Sequence, residues 1–291
     1  GYRTNSNINY KNKPLNAKRL ITIGASTTEE DDTDDNKTWS FLLAKKLSKN
    51  TNKSIEMINM GMSGTRIEHH YFSLKQAAKY NPDIVIFLFG INDWNNYIIN
   101  RKLNYRFPTY EINFSFKSSI LFKIQNNIKK YLNKNNNYAM TKKIYEIKKV
   151  KNKKIVRFTP KDVSKSYSFY FNKIVKFCES RKLNCFFADQ PVAYNKSIKP
   201  NLASKLWMNP PLKNYTLNIE DSVHISSLYN GWLKNQSSKL RLNFCPISER
   251  VKPSSDYFLD DCHFTEKGSV LVANLLSDCF NLKLRFIIDT N

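Results

Sequence analysis

The sequence predicts an α/β fold in which a central, mostly parallel sheet lies between two layers of helices. First, β-branched runs that end in glycine alternate along the chain with segments whose apolar residues recur at helical spacing. Second, the run DIVIFLFGI is apolar almost throughout, which is typical of a strand covered on both faces. Third, because strands and helices alternate, right-handed βαβ units are the expected connections.

Four strands and four helices carry this prediction. The strands are KRLITIG (18–24), SIEMINMG (54–61), PDIVIFLFG (82–90) and NCFFADQP (184–191). The helices are TWSFLLAKKLSK (38–49), RIEHHYFSLKQAAKY (66–80), KDVSKSYSFYFNKIVKFCESRKL (161–183) and the closing segment that follows DDCHF. Asp35 or Asn36 is expected to cap the helix at 38–49.

The 291 residues are interpreted as one large domain with a short extension. Residues 1–17 are predicted to form an exposed polar leader. Residues 18–291 are predicted to form a single domain with irregular insertions at about 95–160 and 191–250. Because no apolar run approaches the ~20 residues that span a bilayer, association with a membrane is expected only through an anchor upstream of the leader. The sequence leaves the compartment open.

The composition is strongly basic, since 47 Lys and Arg residues against 24 Asp and Glu residues give a formal net charge of +23. A basic chain attracts anionic polymers. The lysines are spread along the whole length, however, and no nucleic-acid-binding motif is present. We therefore expect no nucleic-acid partner, and a non-catalytic module that binds polyanions is kept as the alternative from another functional class.

The cysteines argue against a structural zinc site, because they are odd in number and none has CxxC spacing. They are Cys178, Cys185, Cys245, Cys262 and Cys279. At most two disulfides can form, which leaves one thiol over.

The glycines locate a candidate site. Gly24, Gly61 and Gly90 each follow a predicted strand, and the carboxyl ends of parallel strands meet at the edge of the sheet where ligands bind. Ser26, the turn GMSG and the segment GINDW are thereby brought to one edge. Taken alone, Ser26 would be a turn residue before a helix.

A nucleophilic serine needs a base, and the base needs an orienting acid. His263 lies in DDCHF before the last helix, and Asp260 precedes it by three residues, so one short turn would bring the carboxylate to the imidazole Nδ1–H. Asp261 is expected to point away, and Thr265 or Glu266 to start the helix. The remaining histidines are expected to be exposed or packed side chains: His69, His70 and His224.

In this order the motifs resemble the four blocks of the SGNH hydrolase family, the GDSL-type esterases and acyltransferases. IGAST matches the Gly-Asp-Ser-like strand end, NMGMSG the Asn…Gly turn, GIND the Gly-x-Asn-Asp block and DDCH the Asp-x-x-His block. The resemblance covers most of the chain outside the insertions and implies a three-layer αβα flavodoxin-like sandwich. The family's acid is replaced by Ala25, for which we expect altered local hydrogen bonding and retained chemistry. The absence of G-x-S-x-G argues against an α/β-hydrolase nucleophile elbow.

The resemblance also implies the role of each site residue. Ser26 would be the nucleophile, His263 the general base and Asp260 the orienting acid. The oxyanion would be stabilised by the backbone N–H groups of Ser26 and Gly64 and by the side-chain amide of Asn92. Two further residues are expected to support these groups, Asp93 and Gly90, although Asp93 is as well explained as a turn residue.

No cofactor or metal is expected. The acidic run EEDDTDD lacks the glycine-punctuated pattern of a Ca²⁺ loop and is interpreted as a solvated loop near the N-terminus of helix 38–49. The aromatic residues of the insertions would either stack on sugar rings or form a small core of their own. They are Trp94, Tyr97, Tyr105, Phe107, Tyr110 and Trp207.

The expected function is hydrolysis of carboxylic esters, acyl or acetyl, through an acyl-enzyme on Ser26. The substrate would be a small-molecule or glycan ester. An O-acyltransferase with the same three residues and a sugar hydroxyl as acceptor is the alternative, and analysis of the products with and without an acceptor distinguishes the two.

Overall fold

A computed structural model describes residues 2–100, 153–208, 210–211 and 213–289. The strands in these ranges are β1 (Arg3–Thr4), β2 (Ala17–Gly24), β3 (Ser54–Asn59), β4 (Ile84–Leu88), β5 (Lys154–Ile155), β6 (Cys185–Ala188), β7 (Tyr215–Thr216) and β8 (Asn243–Cys245). The helices are α1 (Ser26–Glu29), α2 (Trp39–Thr51), α3 (Ile67–Ala77), α4 (Ile91–Asn100), α5 (Lys165–Ser180), α6 (Pro200–Ala203), α7 (Ile219–Lys239) and α8 (Glu266–Asp289). Short 3₁₀ turns cover Asp35–Lys37, Ala78–Tyr80 and Ile247–Glu249.

Six strands form one sheet in the order β1-β3-β2-β4-β6-β8. Every neighbouring pair is parallel except β1 with β3. Without β1 the order of the parallel strands is 2-1-3-4-5, the doubly wound order of the flavodoxin-like fold. The predicted α/β class with a mostly parallel sheet is confirmed. Because Gly24 pairs with Leu88, β2 and β4 end side by side at the carboxyl edge.

Two hydrophobic layers cover the sheet, because alternate residues of each strand point to opposite faces. On one face α2 and α8 pack through side chains such as Trp39, Leu43, Leu276 and Phe280. On the other face α3, α4, α5 and α7 pack through side chains such as Ile67, Trp94, Phe171 and Tyr229. The sheet therefore is the middle layer of three, and its carboxyl edge stays accessible to loops.

The start predicted for the first insertion, at about residue 95, falls inside a helix. Helix α4 continues through residue 100, because Trp94 and Tyr97 bury their rings against the second hydrophobic layer. Residues 101–152 lie outside the described part of the chain, and the aromatic candidates Tyr105, Phe107 and Tyr110 lie there with them.

The predicted irregular insertion at 191–250 is wrong in its second half. Helix α7 and strand β8 lie within it and complete the last βα unit of the sheet. The helix was hidden because serine and asparagine residues surround a narrow buried stripe of Ile225, Tyr229 and Leu233. Strand β8 has only three residues, too few to show a strand pattern.

The predicted polar leader is not fully exposed. Arg3 and Thr4 pair with Asn59 and Ile58 at the edge of the sheet, and Ile8 is buried. The leader's apolar residues were too few to reveal this packing from sequence.

Thr38 caps α2 in place of the predicted Asp35 or Asn36, since its Oγ1 accepts the Phe41 N–H at 3.3 Å. Two disulfides join Cys178 to Cys185 and Cys245 to Cys279. Cys262 is the free thiol and is buried. Within the described ranges, no helix combines the length and apolar character needed to cross a membrane.

Candidate active site

Ser26 lies where strand β2 ends and α1 begins, at the carboxyl edge of the sheet. The carbonyl of Ala25 accepts the N–H groups of Thr28 and Glu29 at 3.0 and 2.9 Å, so the missing acid of the family motif leaves the turn intact. The Trp39 indole N–H donates to the Thr27 carbonyl at 2.9 Å. Ser26 therefore sits on a turn that is held from both sides.

A short loop before α8 presents His263. Phe258 and Phe264 form an antiparallel bridge, and the Leu259 N–H donates to the His263 carbonyl at 2.9 Å. Thr265 starts α8 as predicted, because its Oγ1 accepts the Gly268 N–H at 3.1 Å. The imidazole is thus fixed between a closed turn and a helix.

Ser26, His263 and Asp260 meet in hydrogen-bonding distance. His263 Nε2 is 2.8 Å from Ser26 Oγ, and Nδ1 is 2.7 and 2.9 Å from the two carboxylate oxygens of Asp260. Asp260 Oδ1 also accepts the backbone N–H groups of Cys262 and His263 at 3.0 and 2.9 Å. With Nδ1–H donating to Asp260, Nε2 is left to accept the serine proton, which is the tautomer that a general base needs.

The charges of this pair stabilise each other. Burial alone would raise the pKa of Asp260, but the neighbouring imidazolium and hydrogen bonds from His263 and Cys262 lower it to about 2. Burial alone would lower the pKa of His263, but the charge of Asp260 outweighs it and, with contributions from Cys262, raises that pKa well above the usual value. Asp260 is therefore ionised at neutral pH and favours the imidazolium.

Two of the three predicted oxyanion donors, Gly64 and Asn92, are linked through Thr65. Gly64 has a φ of +77° and is exposed, a conformation that favours glycine. The Asn92 side-chain amide donates to the carbonyl of the next residue, Thr65, at 2.9 Å. An amide has two N–H groups, so this bond leaves the second for a ligand.

Asp93 and Gly90 lie behind this turn. The carboxylate of Asp93 accepts the Ile67 N–H at the start of α3, at 3.2 and 3.3 Å. Burial raises the pKa of Asp93 to about 8 although that bond opposes the shift. Gly90 has a φ of +151°, and a Cβ there would lie 2.7 Å from the Trp94 ring. Both residues thus support the backbone and do not reach the serine.

The turn at residues 61–65 packs directly on α1. Glu29 Oε2 accepts the Ser63 N–H at 2.6 Å, and the Asn59 side-chain amide donates to the Thr28 carbonyl at 2.6 Å. A Cβ on Gly61 would lie 2.3 Å from the Glu29 nitrogen. Contact this close requires glycine at position 61 and joins the turn to the helix that begins with Ser26.

Arg3 fastens the acidic loop from the far edge of the sheet. Its guanidinium donates to the carbonyls of Glu29 and Glu30 at 2.6 and 2.5 Å, to the Thr33 carbonyl, and to the Asp35 carboxylate at 2.5 Å. Arginine suits this task because its donors form a rigid planar fork.

The expectation of a fully solvated acidic loop is wrong for Glu30. Its side chain is buried and accepts the Trp39 N–H at 2.6 Å and the Ser269 hydroxyl. Burial raises the pKa of Glu30 to about 8, against these hydrogen bonds. Among the described residues, one group of three His, Cys or acidic side chains lies close enough to share an ion, and it is Asp260, Cys262 and His263; the acidic loop contributes to none.

A small pocket opens beside Ser26 and His263. Its volume is about 180 Å³. The described part of its lining combines the apolar side chains of Leu259 and Phe264 with eight polar or charged residues: Ser26, Thr27, Glu30, Asp31, Asp32, Thr33, Ser63 and His263. Pockets for drug-sized ligands are about 300–1,000 Å³, so this one fits a small group.

The other histidines do not join the site. His70 is buried, with Nε2 3.1 Å from Thr65 Oγ1, and burial lowers its pKa to about 3. His69 Nδ1 accepts the Arg66 N–H, and His224 Nε2 is 2.9 Å from the Pro160 carbonyl.

Asp261 points away from His263, as expected from its position. Its oxygens accept the Tyr194 hydroxyl at 2.7 Å and the Trp207 N–H at 2.6 Å, and burial raises its pKa to about 7. Trp94, Tyr97 and Trp207 are buried. They belong to the main hydrophobic layer over the sheet, so they neither offer a face for a sugar nor form a separate core of the insertions.

Sequence reasoning missed Glu29 and Glu30 as members of the site. Glu29 shares the short helix α1 with Ser26, and Glu30 follows it directly. Their position three and four residues after the serine was the available signal, and the surrounding acids concealed it.

One family model and several solved structures are similar to this chain. A family model for GDSL-like lipase/acylhydrolase matches residues 20–276, whereas no curated protein matches the chain. The acetyl xylan esterase AlAXEase superimposes with a TM-score of 0.51 at 11% identity, covering 89% of this chain and 98% of that one.

A catalytic mutant of Axe2, an acetylxylan esterase from Geobacillus stearothermophilus, superimposes with a TM-score of 0.51 at 12% identity. The match covers 90% of this chain and 93% of that one. At such low identity these two structures show a shared fold. The family model, which spans most of the chain together with all four motifs, shows more: the chain belongs to the GDSL-like lipase/acylhydrolase family.

Proposed function

We propose that this GDSL-family hydrolase is a serine esterase that removes short acyl groups, acetyl above all, from a glycan through an acyl-enzyme on Ser26. The observation that carries the proposal is the unbroken chain of contacts from Ser26 Oγ through His263 to Asp260, at 2.8 and 2.7 Å. These are the distances at which a positioned imidazole takes a proton from a hydroxyl.

The reaction follows from this chain of contacts. His263 Nε2 takes the Ser26 hydroxyl proton as Oγ forms a bond to the ester carbonyl carbon. The N–H groups of Ser26 and Gly64 and the free amide N–H of Asn92 stabilise the oxyanion. The proton on His263 then passes to the leaving alkoxide as the ester C–O bond breaks. Water, deprotonated by His263, then attacks the acyl carbon; the bond from that carbon to Ser26 Oγ breaks, Oγ takes the proton back from His263, and the acid leaves.

Two observations support a short acyl group on a glycan. The pocket beside Ser26, at about 180 Å³, is well below the 300–1,000 Å³ of pockets for drug-sized ligands and suits a small acyl group such as acetyl. The two structures described above are named acetyl xylan esterases, and their shared fold makes the same substrate class a reasonable proposal here.

Hydrolysis of p-nitrophenyl acetate, butyrate and octanoate tests the proposal. We expect wild type to prefer acetate, and S26A and H263A to lose about 10⁴-fold or more in kcat/KM. H224A is the matched control, because His224 is exposed and its imidazole lies against the Pro160 carbonyl at 2.9 Å, away from Ser26 and His263. Equal rates in wild type and H263A would contradict the triad, and a preference for octanoate would contradict the short acyl group.

Acetylated xylo-oligosaccharide, supplied with and without a second sugar, tests the glycan and the acceptor. Release of free acetate in both reactions supports an esterase. Appearance of the acetyl group on the added sugar, at the expense of free acetate, would instead assign acyl transfer.

A further inference from the structure

We infer that Glu29 is a positioning residue that holds the oxyanion turn in place for catalysis. The inference rests on the proposed ester hydrolysis and adds to it a residue outside the four motifs. Its starting point is the bond from the Ser63 N–H to Glu29 Oε2, which at 2.6 Å joins a charged acceptor to the peptide beside Gly64. Hydrogen bonds to a carboxylate are among the strong ones in proteins.

Gly64 cannot hold its own position. A Cβ built on it would meet nothing within 4 Å, and its backbone lies at φ +77° on the surface of the turn. The direction of its N–H therefore depends on the two neighbouring residues, Ser63 and Thr65.

The two neighbours are held very differently. Thr65 has several anchors, since its Oγ1 donates to the Met62 carbonyl at 2.6 Å and its carbonyl accepts the Asn92 amide at 2.9 Å. Ser63 forms one hydrogen bond with the described residues, from its N–H to the Glu29 carboxylate. Removing the Glu29 carboxylate would free Ser63, which lies between Met62 and Gly64. Thr65 would stay fixed, and Met62 would keep its bond to the Gly24 carbonyl at 3.1 Å.

The backbone of Glu29 is fixed relative to Ser26, so its carboxylate can fix the position of Ser63. It lies three residues after Ser26 on α1, its N–H donates to the Ala25 carbonyl at 2.9 Å, and its carbonyl accepts Arg3 at 2.6 Å. The same rigid segment thus carries the nucleophile at one end and the anchor of the oxyanion turn at the other. The distance between attacking Oγ and the Gly64 N–H is set by this short segment.

The kinetic test compares E29A with E29Q on p-nitrophenyl acetate. Alanine removes the acceptor, so we expect kcat to fall about 10- to 100-fold, less than the 10²–10³ lost with an oxyanion donor. KM should change by less than about threefold, because a transition-state interaction is lost. Glutamine keeps an acceptor oxygen at the same reach and should restore kcat to within about threefold of wild type.

The matched control is E249A, which removes an exposed glutamate paired with Lys234 and should leave kcat unchanged. Wild-type kcat in E29A, or equal losses in E29A and E29Q, would overturn the inference. An acid limb of the pH profile that moves in E29A would also overturn it, because a residue that acts only through the position of the turn leaves the pKa of the base unchanged.

Amide hydrogen exchange tests the bond without relying on activity. The Ser63 N–H should exchange slowly in wild type and in E29Q and faster in E29A, since a bonded amide exchanges only on local opening. Unchanged exchange in E29A would overturn the inference. If wild type shows no turnover that depends on Ser26, the proposed function is overturned instead. The exchange result would still decide whether Glu29 holds the Ser63 N–H.

Discussion

His263 and Asp260 act as one titrating unit, because each holds the other in its charged form. The base works only when neutral, and the charge of Asp260 raises the pKa of His263 above the ordinary value of about 6.5. Activity should therefore rise with pH and reach its plateau at higher pH than an isolated histidine would give.

Asp260→Asn tests this coupling. Loss of the carboxylate charge lowers the pKa of His263, so the acid limb of kcat/KM should move to lower pH while the plateau falls by about 10⁴-fold. The measurement is kcat/KM on p-nitrophenyl acetate across the pH range. D256N, which alters an exposed aspartate of the same loop, should leave the limb in place. An acid limb at the wild-type pH in D260N would show that Asp260 does not control the base.

How far a residue's role could be read from sequence depended on the range of its contacts. Asp260 and His263 are three residues apart and meet through one local turn, so spacing alone predicted their pairing. Glu29 and Ser63 meet across 34 residues. Their contact depends on how closely β3 and α1 approach, which residue spacing does not encode.

At the scale of elements, the start of α8 and the loop of His263 are built as one piece. A Cβ on Gly268 would lie 2.2 Å from the Tyr257 carbonyl oxygen and 3.1 Å from Phe264 Cβ. The helix can approach the loop this closely only because position 268 has no side chain.

Gly268→Ala should therefore lower the free energy of unfolding by about 1–3 kcal/mol and reduce kcat by displacing the loop. Urea unfolding and steady-state kinetics measure the two effects. G231A is the matched control: a Cβ there meets nothing within 4 Å in the middle of α7, so alanine should stabilise by up to about 1 kcal/mol. Equal effects of the two substitutions would refute the close fit at Gly268.

Elements with strong periodicity were predicted well, and elements defined by tertiary packing were not. Strands β2 and β4 consist mostly of apolar residues, and this composition predicts buried strands. Helix α7 buries a narrow stripe among polar residues, and β1 has two residues that form a strand only because β3 is beside them. Such elements obtain their stability from neighbours, which local propensity cannot report.

At the scale of the whole molecule, two disulfides tie helices to the sheet. Cys178–Cys185 joins the end of α5 to β6 across 7 residues, and Cys245–Cys279 joins β8 to α8 across 34. A crosslink restricts the unfolded chain more when it closes a longer loop.

Paired substitution to alanine should lower the free energy of unfolding by about 2–3 kcal/mol for Cys178/Cys185 and about 4 kcal/mol for Cys245/Cys279. Urea unfolding of each double variant measures the loss. A reductant should destabilise wild type and have no further effect when all four cysteines are replaced. Insensitivity of wild type to reductant would show that the bonds contribute nothing.

Arg3 supports the candidate site although it lies outside the region that matches the family model. The family match starts at residue 20, yet this side chain, seventeen positions earlier along the chain, holds the backbone of Glu29, Glu30 and Thr33. A fragment trimmed to the matched region would keep every atom of the triad and lose the group that tethers the wall of the pocket. The functional unit is therefore larger than the region that matches the family model. Substitutions in the unmatched N-terminal residues should be included when the effect of mutations on activity is measured.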